Sequence, residues 1–139
     1  MSKFDKATAF FHACEGLEGW DGCREYVADG AKFMAQCEPL VELTTVEQYC
    51  DWMAGVGKGP LAGCGYKLHS SSYDDSTNTA LFFATFTATH SGEGGPVPAT
   101  GKETNSHYVY ALKMNEDGLI YDMTKIWNAP WALRELGWM

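Results

Sequence analysis

Lys125 is the residue whose side chain and position in the sequence could most directly take part in chemistry. Side chains alternate along an extended strand, so Lys125 shares a face with Tyr121, Met123 and Trp127. An ammonium enclosed among such groups is desolvated, which lowers its pKa and lets it act as a base or form a Schiff base. In the alternative, Lys125 lies at a pocket rim, with its ammonium in water or beside a carboxylate.

Tyr110 is the second candidate catalytic residue, on a predicted strand face with Tyr108, Leu112 and Met114. A tyrosine hydroxyl in a pocket can donate a hydrogen bond to a carbonyl oxygen or an oxyanion. An ordinary buried tyrosine, with its hydroxyl bonded to neighbouring groups, explains the same pattern equally well. If both side chains face a pocket, Tyr110 and Lys125 are the predicted catalytic pair.

Metal and cofactor sites are not predicted. The four histidines form no H-x-H or H-E-x-x-H pattern, and the five cysteines form no C-x-x-C pair. An odd number of cysteines argues against a closed disulfide framework, so we expect reduced thiols that pack as small core residues. The chain also has no phosphate-binding glycine loop and no dinucleotide fingerprint, so we expect no cofactor.

The formal net charge of −8 disfavours binding to a phosphate backbone or to an anionic membrane. No stretch of 18 apolar residues predicts a membrane span, and the first residues do not form a signal peptide. We therefore expect a cytoplasmic protein with neither a nucleic-acid partner nor a membrane partner. Its length of 139 residues is typical of one domain with its own core.

Three helices are predicted before the strands that carry Tyr110 and Lys125. Ser2 and Asp5 form a weak capping box for the first helix, and Thr45 and Gln48 form a clearer one for the third. The second helix is predicted from about Trp20 to the Asp29-Gly30 pair. A strand over 31–37 separates it from the third helix.

The second half of the chain predicts four long strands over 65–73, 79–90, 103–114 and 119–127. Two of the connections, 74–78 and 115–118, have hairpin chemistry, and Gly118 suits a position with positive φ. A glycine- and proline-rich loop over 91–101 is predicted to be either a lid or only a long connection. A short turn or helix over 131–136 ends the pattern, which indicates an α+β domain.

Three stretches resemble the nuclear transport factor 2-like superfamily, in particular SnoaL-like polyketide cyclases and ketosteroid isomerases. Ala88–Lys102 is similar to the SnoaL-like pattern Thr-His-x-Gly followed by Pro-x-Thr-Gly-Lys. Tyr108–Trp127 resembles the final hairpin of that family, and Tyr26–Phe33 resembles the passage after its second helix. The resemblance implies a single domain over 1–139. It would be a cone-shaped, curved antiparallel sheet with three N-terminal helices over its concave face.

The resemblance also implies a pocket between helices and sheet, but with altered chemistry. Where ketosteroid isomerases have a tyrosine, a base aspartate and a protonated aspartate, this chain has Phe11, a position near Ala35, and Tyr110. The acid/base aspartate of SnoaL-like cyclases corresponds to Lys125. The expected pocket lining is apolar and aromatic: Phe11, Phe33, Ala35, Met53, Tyr108, Met123 and Trp127.

Two functions follow from this resemblance. One is an enzyme without cofactor that isomerises, cyclises or dehydrates a small apolar carbonyl compound, with Tyr110 polarising the oxygen and Lys125 moving a proton. The other is a non-catalytic binder of a small hydrophobic molecule, which the missing aspartates favour. Relatives often dimerise through the outer sheet face, so the resemblance also implies a homodimer. A third possibility, a dimeric interaction module that uses this face, is compatible with either function.

Overall fold

Two capping boxes begin the first and third helices, as predicted. The computed structural model describes residues 1–139. Helix α1 (Lys3–Glu15) begins after Ser2, whose side chain accepts a hydrogen bond from the Asp5 backbone while the Asp5 carboxylate accepts one from the Ser2 backbone. Helix α3 (Val46–Lys58) begins in the same way, with Thr45 and Gln48. Each box satisfies two otherwise unpaired backbone N–H groups.

The second helix is shorter than predicted, and the first strand begins earlier. Helix α2 (Gly19–Cys23) continues as one 3₁₀ turn (Arg24–Tyr26), and strand β1 (Val27–Ala35) follows directly. Gly30 has a φ of 70° and lies where the pairing register of β1 shifts. The Asp29-Gly30 pair therefore marks a bulge inside a strand, so interpreting it as a helix end was wrong.

Four further strands form a curved, open sheet with β1. They are β2 (Gly65–Asp74), β3 (Thr79–Thr89), β4 (Glu103–Met114) and β5 (Ile120–Trp127), in the spatial order β1-β5-β4-β3-β2. β2 pairs with β3, β3 with β4 and β4 with β5, all antiparallel, whereas β1 pairs with β5 in parallel. The sheet is therefore mixed, and not antiparallel throughout as expected. β1 and β5 can run in the same direction because no hairpin joins them.

The inner sheet face carries the residues predicted for the site. On β4, Tyr108 and Tyr110 are buried, and on β5 Met123 and Lys125 are buried. Tyr121 was expected on this face, but it is 46% exposed. A register shift pairs Lys113 with Asp122 and Met114 with Ile120, so Tyr121 falls in a bulge and Ile120 is buried in its place.

The helices lie against the inner face and enclose the main core with it. The Phe11 ring of α1 stacks on Phe82 of β3, with centroids 5.0 Å apart. The Phe33 ring of β1 stacks on Tyr49 of α3 at 4.6 Å. A fourth helix, α4 (Ala129–Leu136), packs on β4 at the end of the chain. None of the four helices combines the length and the apolar character needed to cross a membrane.

Candidate functional site

A carboxylate and an ammonium are buried on the inner side of the sheet. Glu15 is 5% exposed and Lys125 is 6% exposed. Both side chains line the same cavity. Burial of either charge is costly unless neighbouring groups compensate it, so their surroundings indicate what the site can do.

Glu15 is held by two tyrosines of β4. It is the last residue of α1, and its carboxylate accepts short hydrogen bonds from the hydroxyls of Tyr108 and Tyr110. Burial raises the pKa of Glu15 to about 7, while the positive charge of Lys125 and the two tyrosine hydroxyls oppose this rise. A proton can therefore enter or leave this carboxyl group near neutral pH.

Lys125 is surrounded by aromatic rings. Its Nζ lies 5.1 Å, 5.2 Å and 4.7 Å from the ring centroids of Tyr49, Tyr108 and Trp127. It donates one hydrogen bond of 2.9 Å to the Tyr49 hydroxyl. Burial lowers the pKa of Lys125, and the negative charge of Glu15 opposes that effect. Of the two interpretations of Lys125, the structure has the enclosed ammonium and not the solvated one.

A chain of hydroxyl groups connects Lys125 to Glu15. The Tyr49 and Tyr110 hydroxyls are 3.1 Å apart, so Lys125 can donate to Tyr49, Tyr49 to Tyr110, and Tyr110 to Glu15. Burial raises the pKa of Tyr49 and of Tyr110 well above the usual value, so both hydroxyls keep their protons. The chain is therefore fully paired from the ammonium to the carboxylate.

The cavity beside these groups is small and largely apolar. Its volume is about 60 Å³, below the ~300–1,000 Å³ typical of sites for drug-sized ligands. The charged and hydroxyl-bearing residues in its lining are Glu15, Lys125, Thr104 and Tyr108. The rest of the lining comes from α3, α4, the sheet and connecting segments: Pro39, Trp52, Met53, Val56, Leu61, Phe86, Trp127, Ala132, Leu133, Leu136 and Trp138.

The predicted site residues divide between this cavity and the core behind it. Met53, Tyr108, Lys125 and Trp127 line the cavity. Five others do not line it and pack in the core: Phe11, Phe33, Ala35, Tyr110 and Met123.

These five residues do not reach the cavity because aromatic stacking fills the space behind it. Phe11 stacks on Phe82 and meets the Tyr110 ring edge-on at 5.1 Å, while Phe33 stacks on Tyr49. Ala35 and Met123, one on each of the paired strands β1 and β5, are buried in the same core. Tyr110 contacts Glu15 from behind, so its hydroxyl orients the carboxylate and does not face the cavity.

Helix α4 covers the cavity, while the glycine-rich loop over 91–101 does not line it. Glu135 fastens α4 to β4, because its carboxylate accepts hydrogen bonds from the Thr104 hydroxyl at 2.8 Å and the Asn105 backbone at 2.9 Å. The Thr100 hydroxyl donates a 2.6 Å bond to the Leu136 carbonyl. Of the two interpretations of the loop, these contacts favour a connection.

Sequence reasoning missed Glu15 and Tyr49. A signal existed for Glu15, because Phe4, Thr8, Phe11 and Glu15 follow helical spacing along one face of α1. A carboxylate in the last turn also faces the negative end of the helix dipole, which is an unfavourable place for it without compensation. Tyr49 lies on the buried face of α3, and nothing in the sequence indicated that its hydroxyl would meet Lys125.

Comparisons with known proteins show the same fold in several solved structures. A proposed SnoaL-like polyketide cyclase from Jannaschia sp. CCS1 superposes with a TM-score of 0.77 at 15% identity, over 96% of this chain and 90% of that one. IdmH, a proposed polyketide cyclase from Streptomyces antibioticus, gives 0.76 at 14% identity over 99% of both chains. An NTF2-like protein from Burkholderia thailandensis gives 0.75 at 11% identity over 97% of both chains.

No protein-family model and no curated protein sequence matches the chain. The structural likeness therefore shows the fold, which is the nuclear transport factor 2-like, SnoaL-like fold that the sequence motifs predicted. At these identities it does not transfer an activity, because one fold of this kind hosts many functions. The function has to be argued from Glu15, Lys125 and the cavity that they share.

Proposed function

We propose that this protein binds a small, largely apolar carbonyl compound and catalyses proton transfer on it without a cofactor. Isomerisation, cyclisation and dehydration are the reaction types of this class. The observation that carries the proposal is that Glu15 and Lys125 both reach one apolar cavity while they remain apart. A carboxylate and an ammonium at one apolar site can serve the two ends of a carbonyl compound, the acidic carbon and the oxygen.

In this proposal Glu15 moves the proton. Its carboxylate removes a proton from the carbon next to the carbonyl group, and the protonated Glu15 then returns that proton to another atom of the resulting enolate. In a cyclisation the enolate attacks a second carbonyl carbon, whose oxygen takes up the proton from Glu15. In a dehydration the enolate expels a β-hydroxyl group, which leaves as water with that proton. Tyr108 and Tyr110 hold the carboxylate in place from the β4 side. Lys125 takes the role first assigned to Tyr110: its ammonium stabilises the oxygen that gains negative charge.

The cavity supports a compact apolar substrate. Most of its lining is aliphatic or aromatic, and its 60 Å³ leaves no room for a fused-ring polyketide unless α4 moves. The same lining also supports the second function considered above, a non-catalytic binder. The two functions differ in whether Glu15 is needed for turnover, so one variant separates them.

The test is exchange of carbon-bound hydrogen in D₂O, followed by NMR for a panel of small 1,3-dicarbonyl compounds and enones. We expect exchange with the wild-type protein and a loss of at least about 100-fold in Glu15→Gln, because positioned acid–base groups contribute about 10²–10⁴-fold. Glu18→Gln is the matched control, since Glu18 is exposed three residues further along. Binding of a compound without exchange of its hydrogen would contradict the catalytic function and support the non-catalytic binder.

We also infer that the protein forms a homodimer through the outer face of the sheet. Phe83, Val109 and Ile126 lie side by side on β3, β4 and β5, and Phe83 and Ile126 are 41% and 62% exposed. An exposed apolar row of this kind is typical of an association surface. Sedimentation should show a dimer for the wild type and a monomer for Ile126→Asp, and a monomeric wild type would contradict the inference.

A further inference from the structure

Three cysteines from three different helices meet in the core. Cys14 of α1, Cys23 of α2 and Cys50 of α3 have their Sγ atoms within 4.8 Å of one another. All three side chains are fully buried. Cys37 and Cys64 are only partly buried and take no part in the cluster.

The packing of the helices fixes this meeting point. The chain turns sharply after α1 at Leu17, whose φ of 64° is in the left-handed region. The Leu17 side chain packs against Gly57 of α3 so closely that a Cβ there would lie 2.4 Å from it. The Trp20 backbone N–H then donates a 3.0 Å hydrogen bond to the Asp51 carboxylate, which fastens α2 to α3. Cys23 is thereby brought beside Cys50, the neighbour of Asp51.

We propose that Cys14, Cys23 and Cys50 form a buried three-thiolate site for a soft monovalent metal ion of the Cu(I) class. Thiolate sulfur is the ligand that soft ions prefer. Zinc usually takes four protein ligands in a closed structural site, and the cluster offers three, with no histidine or carboxylate within the same distance. Three sulfur ligands without a fourth suit an ion that accepts trigonal coordination.

The sulfur separations are compatible with one shared ion, and all three cysteines are free thiols. Metal–sulfur bonds of about 2.3 Å place two thiolates of the same ion about 3.8–4.0 Å apart. A disulfide requires about 2.05 Å. Sulfur atoms within 4.8 Å of one another need shifts of only about 1 Å to bind one ion.

A neighbouring hydroxyl supports the sulfur cluster. The Tyr110 hydroxyl oxygen lies 3.6 Å from Cys14 Sγ. Its one proton is donated to Glu15, so this contact positions the sulfur by packing and adds no second hydrogen bond. Such outer contacts orient metal ligands and tune their affinity. The sequence did not indicate this site, because gaps of 9 and 27 residues between the three cysteines match no local metal motif.

The test is anaerobic titration of the reduced, full-length protein with Cu(I), in competition with bicinchoninate. We expect one Cu(I) per chain, and a loss of affinity of at least about 100-fold in each of Cys14→Ala, Cys23→Ala and Cys50→Ala, since even outer contacts contribute about 10–100-fold. Cys37→Ala and Cys64→Ala are the matched controls and should bind as the wild type does. Unchanged binding in the first three variants would overturn the proposal.

X-ray absorption at the copper edge tests the wild-type protein directly, and decides the matter if a cluster variant fails to fold. We expect a first shell made of sulfur alone. A shell of nitrogen or oxygen would place the copper on surface histidines and overturn the proposal. Tighter binding of Zn(II) than of Cu(I) in the same competition would overturn the assignment to the Cu(I) class.

Discussion

Glu15 and Lys125 are connected through two tyrosine hydroxyls instead of through an ion pair. The only ion pair within 4.0 Å in the protein joins Arg24 and Asp21 on the surface. The buried ammonium and carboxylate instead contact the ends of the Tyr49–Tyr110 pair. Because the two charges do not neutralise each other directly, each keeps a side that a substrate in the cavity can approach.

The first prediction concerns the pH dependence of stability, measured with a chelator present. Burial raises the pKa of Glu15 from 4.5 to about 7, so the folded protein holds a proton there that the unfolded chain releases. The free energy of unfolding should therefore fall as pH rises from 4.5 to 7, by up to on the order of 3 kcal/mol. Urea unfolding should show this fall in the wild type and not in Glu15→Gln. The same dependence of unfolding free energy on pH in both proteins would contradict this prediction.

The second prediction concerns Lys125→Met, which removes the buried charge while it keeps much of the side-chain volume. At pH 5 Glu15 is protonated, so losing the ammonium removes a desolvation cost, and stability should be unchanged or higher by about 1–4 kcal/mol. The pKa of Glu15 should rise above 7, because the charge that lowers it is gone. Urea unfolding and ¹³C NMR of the Glu15 carboxyl check both effects. A large loss of stability in Lys125→Met at pH 5 would contradict the expected effect on stability.

Most of the fold could be predicted because its signals are local. The Thr45 and Gln48 capping box, the Gly118 turn and the alternation along β4 each depend on neighbours in the sequence. The differences arose where distant segments decide the outcome. The parallel pairing of β1 with β5 and the bulge at Tyr121 both depend on a partner strand that no local pattern specifies.

The candidate site was less predictable, because it depends on which side chains meet in the core. Strand alternation could place Lys125 on one face with Met123 and Trp127, but it left open whether the ammonium was enclosed or lay at a pocket rim. The depth of Tyr110 could not be predicted, since it depends on stacking between Phe11 and Phe82. Glu15 was missed because acidic residues at helix ends are usually exposed, and only the tyrosines opposite make its burial tolerable.

The third prediction compares Tyr110→Phe with Tyr108→Phe. Each variant removes one hydroxyl that donates to the Glu15 carboxylate, so each should raise the pKa of Glu15, because a bond to the charged form favours it. Only Tyr110 also contacts Tyr49, the partner of Lys125. ¹⁵N NMR of the Lys125 amine should therefore change more in Tyr110→Phe. Equal changes would contradict the connection through Tyr49.

The fourth prediction concerns the attachment of α4 over the cavity. The backbone N–H of Asn105 and the Thr104 hydroxyl lower the pKa of Glu135, so its charged form is the one that holds the helix. This contribution is present above the usual carboxyl pKa and is lost as pH falls through the lowered value. Glu135→Ala should speed hydrogen exchange in α4 (Ala129–Leu136) at neutral pH, whereas Glu103→Ala, on the exposed start of β4, should not. Acidification should speed exchange in the wild-type helix towards the rate of the variant, after correction for the intrinsic effect of pH. Equal exchange in wild type and Glu135→Ala at neutral pH would show that apolar packing of Leu133 and Leu136 alone holds α4 in place.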